Sequence, residues 1–209
     1  MNKTKAVRKE MLKRFISSLA YGFMFFYCIT TNHVITFHVF LLILIIGSIY
    51  ESITINQKKK HIVLSIILTT YVTVSLLLLM KIKLLEMGEL KLIILITHIW
   101  ATDLGGFFFG KIFGKNLLSK ISPRKTWEGV IGSFIFCLTL SIILKGNISS
   151  ITNTHFLLIS CILCVSSIIG DLIISKIKRI HQKKESGFFL PGHGGFLDRL
   201  DSMFLTTII

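Results

Sequence analysis

Proline occurs only twice in 209 residues and acidic side chains only ten times. With so few helix breakers, long uninterrupted helices are permitted. With 24 Lys and Arg against ten acids, an acidic disordered chain is excluded. There is no internal repeat, no low-complexity tract and no linker long enough to separate domains, which argues against solenoids and multidomain arrays. Cysteine is sparse as well. Cys28, Cys137, Cys161 and Cys164 all fall inside apolar runs, so a disulfide scaffold is excluded and the CxxC at 161–164 reads as small thiols packing in a membrane helix. Asn147-Ile148-Ser149 fits a glycosylation tripeptide, a pattern too common to carry an assignment.

What the chain has instead is apolar surface. Hydrophobic residues make up 52% and the mean hydropathy is +0.74, values far beyond those of a soluble domain of this size. Continuous apolar runs lie at 15–31, 34–50, 61–80, 92–109, 129–144 and 156–174, each near the ~20 residues that cross a bilayer. A seventh begins at Met203. The runs lack the alternation of barrel strands, so the fold class is all-α: a polytopic helical membrane protein with about six complete transmembrane helices and the start of a seventh. The first run follows Lys13-Arg14 without a small-residue cleavage site, which makes it a retained helix rather than a signal peptide. One membrane domain, 1–209, is the simplest organisation. Helices 1–80 form a scaffold with few intramembrane polar groups, and 92–209 carry the catalytic helices and loops.

Twenty of the 24 basic residues fall before the first run or in the loops after the second, fourth and sixth. Only Lys81, Lys83, Lys91 and Lys145 fall on the other side. The positive-inside rule then makes the N-terminus and the motif-bearing loops cytoplasmic. The net charge of +14 is thereby a topology signal, and nucleic acid is not an expected partner. The expected location is the cell (inner) membrane, multi-pass, with the active site facing the cytoplasm, where nucleoside triphosphates are.

The chemistry collects at that edge. Asp103 sits inside the fourth run, where a charge costs about 2.5–3.5 kcal/mol and therefore normally faces protein or a water-filled cavity. Gly106, Gly110 and Gly114 recur every four residues, a spacing that helix packing explains. Gly105 to Lys111 matches GxxxxGK, but Ile112 replaces the hydroxyl that a phosphate loop needs and no strand precedes it. Ser122-Pro123-Arg124-Lys125 reads as a helix start, Ser as cap and Pro as first helical residue, with amides and two cations turned toward phosphate. Asp171 lies one turn before Ser175 and about two before Lys178, near one helical face. Gly192, Gly194 and Gly195 allow a turn around His193 that delivers Asp198 and Asp201 to one side of the next helix. Carboxylates hold hard cations and Lys/Arg hold phosphate, so the combination points to a magnesium-nucleotide site beside lipid, and to lipid-linked phosphoryl or nucleotidyl transfer.

Ser175-Lys176-Ile177-Lys178-Arg179, then Lys184-Glu185, then Leu190-Pro191-Gly192-His193-Gly194-Gly195-Phe196-Leu197-Asp198-Arg199-Leu200-Asp201 closely resembles the signature of phosphatidate cytidylyltransferases, the CDP-diacylglycerol synthases. The segments around Asp103, Ser122 to Gly129 and Gly170-Asp171 are similar to that family's other motifs, in the same order. The resemblance is strong from about Trp100 onward and weak before it. It implies transfer of CMP from CTP to phosphatidic acid, giving CDP-diacylglycerol and pyrophosphate, with Mg2+ and room for a monovalent cation such as K+. Carried over by motif, Asp171, Asp198 and Asp201 are metal ligands, with Asp103 as a fourth contributor. Ser122, Arg124, Lys125, Lys178, Arg179 and Lys184 contact phosphates, Lys178 and Arg179 within the catalytic set. His193, on the substrate-binding side, shapes the loop or hydrogen-bonds rather than acting as base.

Three positions depart from the pattern. Glu185 stands where the signature usually has Asp, Gly106-Phe107 replaces a common Ala-Tyr, and the chain ends eight residues after Asp201, where the family usually continues with further membrane helices. That last departure leaves a short copy or a truncated sequence as alternatives. Asp198→Asn and Asp201→Asn are each expected to abolish nearly all turnover in a protein that still inserts and folds. The rival enzyme is a CTP-dependent kinase of an isoprenoid alcohol, in which CDP leaves. A transporter would use Asp103 and Asp171 as coupling sites, but its site belongs near mid-bilayer rather than in a loop cluster. Small residues facing lipid allow a homodimer.

Overall fold

The computed structural model describes residues 20–31, 33–55, 61–146, 152–183, 185–187 and 194–209. Among them the secondary structure is helical, apart from isolated bridge residues, which include the antiparallel pair Leu117 and Thr126. In chain order the helices are α1 (Ala20–Thr30), α2 (Val34–Ile55), α3 (Ile62–Leu84), α4 (Gly88–Phe113), α5 (Trp127–Lys145), α6 (Asn153–Ile180) and α7 (Leu197–Ile208). Five of these, α2 to α6, are long and apolar enough to cross a membrane. The chain is a multi-pass membrane protein.

The helices outrun the apolar runs that announce them. Hydropathy marks only the stretch that lies in hydrocarbon, whereas a helix continues until its backbone bonds are capped or broken. At 28 residues α6 is about 42 Å long at 1.5 Å per residue, well beyond a hydrocarbon core of ~30 Å. Its final turns carry Lys178 and Arg179. The same extension carries α2 five residues past the predicted 34–50 and puts Glu51 inside the helix. α7 has only 12 residues and begins at Leu197, six before the predicted apolar start at Met203.

One apolar cluster joins α1, α2, α3, α4, α6 and α7, with Phe37, Leu41, Leu76, Leu92, Leu197 and Phe204 fully buried. Hydroxyls stitch the bundle where carbon does not: Ser52 meets Thr69 at 2.6 Å between α2 and α3, and buried His98 Nε2 lies 3.0 Å from both Ser141 Oγ and Ser160 Oγ, tying α4 to α5 and α6. All four cysteines are free thiols, and Cys28, Cys137 and Cys164 are buried, in keeping with a packing role.

α4 and α5 approach most closely through glycine. A Cβ at Gly105 would lie 2.4 Å from the Gly132 carbonyl oxygen, and one at Gly132 would lie 2.4 Å from Phe109 Cβ. Gly129 similarly faces the Gly106 carbonyl at 2.9 Å. Helix packing thus accounts for these glycines, with Gly105 and Gly132 carrying the tightest contacts.

Candidate active site

The helix expected at Ser122-Pro123 starts four residues later. Thr126 is the N-cap of α5, extended at φ −127°, and its hydroxyl accepts from Gly129 N at 3.1 Å. The reason is tertiary. Residues 116–127 fold back on themselves: Leu118 N donates to Lys125 O at 2.9 Å, Trp127 N donates to Asn116 O at 3.0 Å, and the Leu117–Thr126 bridge holds Thr126 extended. Ser122 takes part in a turn instead, its carbonyl accepting from Lys125 N at 3.0 Å. Glu128 fixes the other side of the loop by accepting from Asn116 Nδ2 at 2.9 Å.

This fold-back lays Arg124 and Lys125 over a cavity of about 210 Å³ between α4, α5 and α6. Asp103, Gly106, Thr126 and Asp171 line its polar part, and Phe107, Val130 and Ile168 its apolar part. Lys125 Nζ lies 2.6 Å from Asp171 Oδ2, and Ser175 Oγ donates to Asp171 Oδ1 at 3.1 Å. The Asp201 side chain is in hydrogen-bonding contact with Asp171, and Asp103 is within electrostatic range of Lys125, Asp171 and Arg199. Two of the predicted carboxylates, Asp171 and Asp201, are therefore adjacent, with Asp103 lining the same cavity as Asp171 and Lys125 as the counter-charge of Asp171.

Asp198 is the exception. Its Oδ1 accepts from Lys178 Nζ at 2.5 Å, both side chains being about nine-tenths buried. Its Oδ2 accepts from Ser186 N at 2.8 Å and Gly195 N at 3.1 Å, with Ser186 Oγ 2.9 Å away. Burial alone would push this carboxyl up, but the Lys178 ammonium and the Ser186 and Gly195 amides outweigh it and hold Asp198 below the usual carboxylate range. Every oxygen of Asp198 is thus engaged within the protein, and Lys178 with it. Arg179 reaches the carbonyls of Lys183 at 3.0 Å and Ile121 at 3.5 Å, bracing α6 against the fold-back. Lys184 and His193 lie outside the described residues.

Glu51 is the site residue that sequence reasoning missed. Only 1% exposed at the end of α2, it accepts from Phe196 N at 2.8 Å, Leu197 N at 3.0 Å and Ser186 Oγ at 2.8 Å. The first three helices therefore contribute more than apolar scaffold. The available signal was a carboxylate directly after the apolar run 34–50, although nothing local names partners that lie 135 to 146 residues away.

The donor set fits magnesium in one respect. Two touching carboxylates cannot both stay ionised without a cation or proton between them, and Mg2+ typically takes one or two carboxylates, completing its shell with water and substrate phosphate. Asp171 and Asp201 supply that pair. Among the described residues no group of three or more His, Cys, Asp or Glu forms a ready-made metal cage.

A sequence model of the cytidylyltransferase family matches residues 3–209. The chain belongs to the cytidylyltransferase family. It is similar to the phosphatidate cytidylyltransferase of Haemophilus influenzae, 42% identical over 111 residues that cover 50% of this chain and 38% of that protein. The phosphatidate cytidylyltransferase of Bacillus subtilis is 45% identical over 106 residues, 50% of this chain and 39% of that one. With the phosphatidate cytidylyltransferase of Rickettsia typhi the match is 32% over 178 residues, 81% of this chain and 77% of that protein. The chain thus spans about two-fifths of the length of the first two cytidylyltransferases and over three-quarters of the third.

Proposed function

We propose that this chain transfers CMP from CTP to phosphatidic acid, forming CDP-diacylglycerol and pyrophosphate. The observation that carries the reading is the pair Lys125–Asp171, with Asp103 and Arg124, around a cavity lined by both polar and apolar side chains, and Asp201 against Asp171. Ligand pockets for whole small molecules run to about 300–1,000 Å³, so a 210 Å³ cavity suits phosphate groups rather than an entire nucleotide and lipid. Membership of the cytidylyltransferase family and the names of the relatives support the same substrates.

In this mechanism a phosphate oxygen of phosphatidate attacks the α-phosphorus of CTP. The new P–O bond forms as the bond from that phosphorus to the bridging oxygen of the β-phosphate breaks, and pyrophosphate departs. The nucleophile is already anionic, so no strong base is needed and rate comes from positioning and charge neutralisation. Arg124, exposed at the cavity rim, and Lys125 hold the phosphates. Asp171 and Asp201 would hold Mg2+, whose charge would neutralise phosphate oxygens and the leaving group. The basic residues of the loops around it support a cytoplasmic position for this end.

The test is CDP-lipid and pyrophosphate formation from CTP, phosphatidate and magnesium by purified protein. Wild type should turn over, and Asp171→Asn and Asp201→Asn should each lose at least about 100-fold, in the range seen when a group stabilising transition-state charge is removed. Either variant keeping more than half the wild-type rate would refute the assignment.

A further inference from the structure

We propose that Glu51 is a positioning residue: from the N-terminal half it clamps the two ends of the loop that sets Asp198 and the start of α7, and so governs the geometry of the site. This rests on the cytidylyltransferase reading for its catalytic consequence, though not for its structural one.

An ionised carboxylate only accepts hydrogen bonds, and the groups bonded to Glu51 all donate. Phe196 N and Leu197 N are amides at the start of α7, which have no partner inside their own helix. No side chain from Phe196 itself caps this helix, so Glu51 does that work from another helix. Its Oε2 also takes Ser186 Oγ, from the opposite end of the loop. The fit is tight enough to dictate sequence. A Cβ at Gly195 would lie 2.2 Å from Glu51 Oε2, and one at Gly187 2.7 Å from Oε1. Lys183 adds a second tie between the same elements, donating to Thr54 O at 3.0 Å.

Ser186 passes the restraint on. Its hydroxyl lies within hydrogen-bonding distance of both Glu51 and Asp198, while its amide and that of Gly195 bond Asp198. Asp198 in turn holds Lys178 on α6, and Asp201 lies one turn further along α7 beside Asp171. Loosening Glu51 should therefore release amides that Glu51 itself does not touch, and displace Asp201.

The experiment compares wild type, Glu51→Gln, Glu51→Asp and Ser186→Ala as full chains in detergent, by amide hydrogen exchange of peptides covering 185–187 and 194–200 and by turnover of CTP with phosphatidate. Gln presents a donor amide to a cluster of donors, so exchange in both peptides should accelerate by at least about tenfold, kcat should fall by a similar factor, and KM for CTP should change by less than about threefold. Asp restores the charge at shorter reach and should recover part of both. Ser186→Ala leaves the α7 amides on Glu51 and should speed exchange mainly in 185–187. Unchanged exchange in Glu51→Gln would overturn the clamp. Faster exchange with full kcat would overturn the positioning role. If wild type forms no CDP-lipid, the exchange data still decide the clamp, and the fault lies with the reaction assigned.

Discussion

At the scale of single residues, Asp198 and Asp201 sit three apart in one motif yet are held in different ways. Asp198 is saturated by Lys178, Ser186 and Gly195, whereas Asp201 lies against Asp171. Removing one member of a buried ion pair costs about 3–5 kcal/mol, so Asp198→Asn should lower thermal stability as well as activity, measured by melting in detergent. Asp201→Asn should lose activity with little loss of stability. Acid provides a second handle. Because the folded Asp198 titrates below its ordinary value of about 3.9, its contribution is present above that value and is lost as pH falls through the lower folded one. The drop in melting temperature as pH falls below that value should consequently be smaller in Lys178→Met than in wild type, because without the ammonium the folded Asp198 titrates closer to its unfolded value or above it, which a pH series of melting curves would show. The spacing of the acidic motif announces that these aspartates matter, but the pairings Lys178–Asp198 and Lys125–Asp171 join residues 20 and 46 apart and cannot be read from local pattern.

Between elements, the decisive contact is α4 against α5. Their glycines bring Asp103 and Thr126 to one cavity, so backbone separation there sets site geometry. Gly105→Ala meets backbone at 2.4 Å and should cost about 1–3 kcal/mol through overpacking, with a corresponding fall in turnover. Gly106→Ala meets the Ser133 hydroxyl at 3.0 Å and the Gly129 carbonyl at an ordinary 3.9 Å and should be milder; melting and activity of the two variants side by side would show the contrast. The glycine spacing makes close packing legible. Local pattern starts α5 too early because Ser-Pro is a good cap signal, while the winning signal, a fold-back pairing Leu117 with Thr126, depends on residues nine apart.

For the whole molecule, hydropathy alone conveys an all-helical, multi-pass fold, because a bilayer leaves a chain of continuous apolar runs few other ways to satisfy its backbone. What hydropathy hides is traffic between the halves. Glu51 shows that the N-terminal helices reach the loop at the far end of the sequence, a contact invisible without the fold. The central claim is that the phosphorus passed to lipid is the α-phosphorus of CTP. The most direct measurement follows label from CTP carrying radioactive phosphorus at either the α or the γ position into the lipid fraction, with phosphatidate and magnesium present. Lipid labelled from the α position alone, and lost in Asp201→Asn, is the predicted result. Lipid labelled from the γ position would make the protein a kinase and contradict the account.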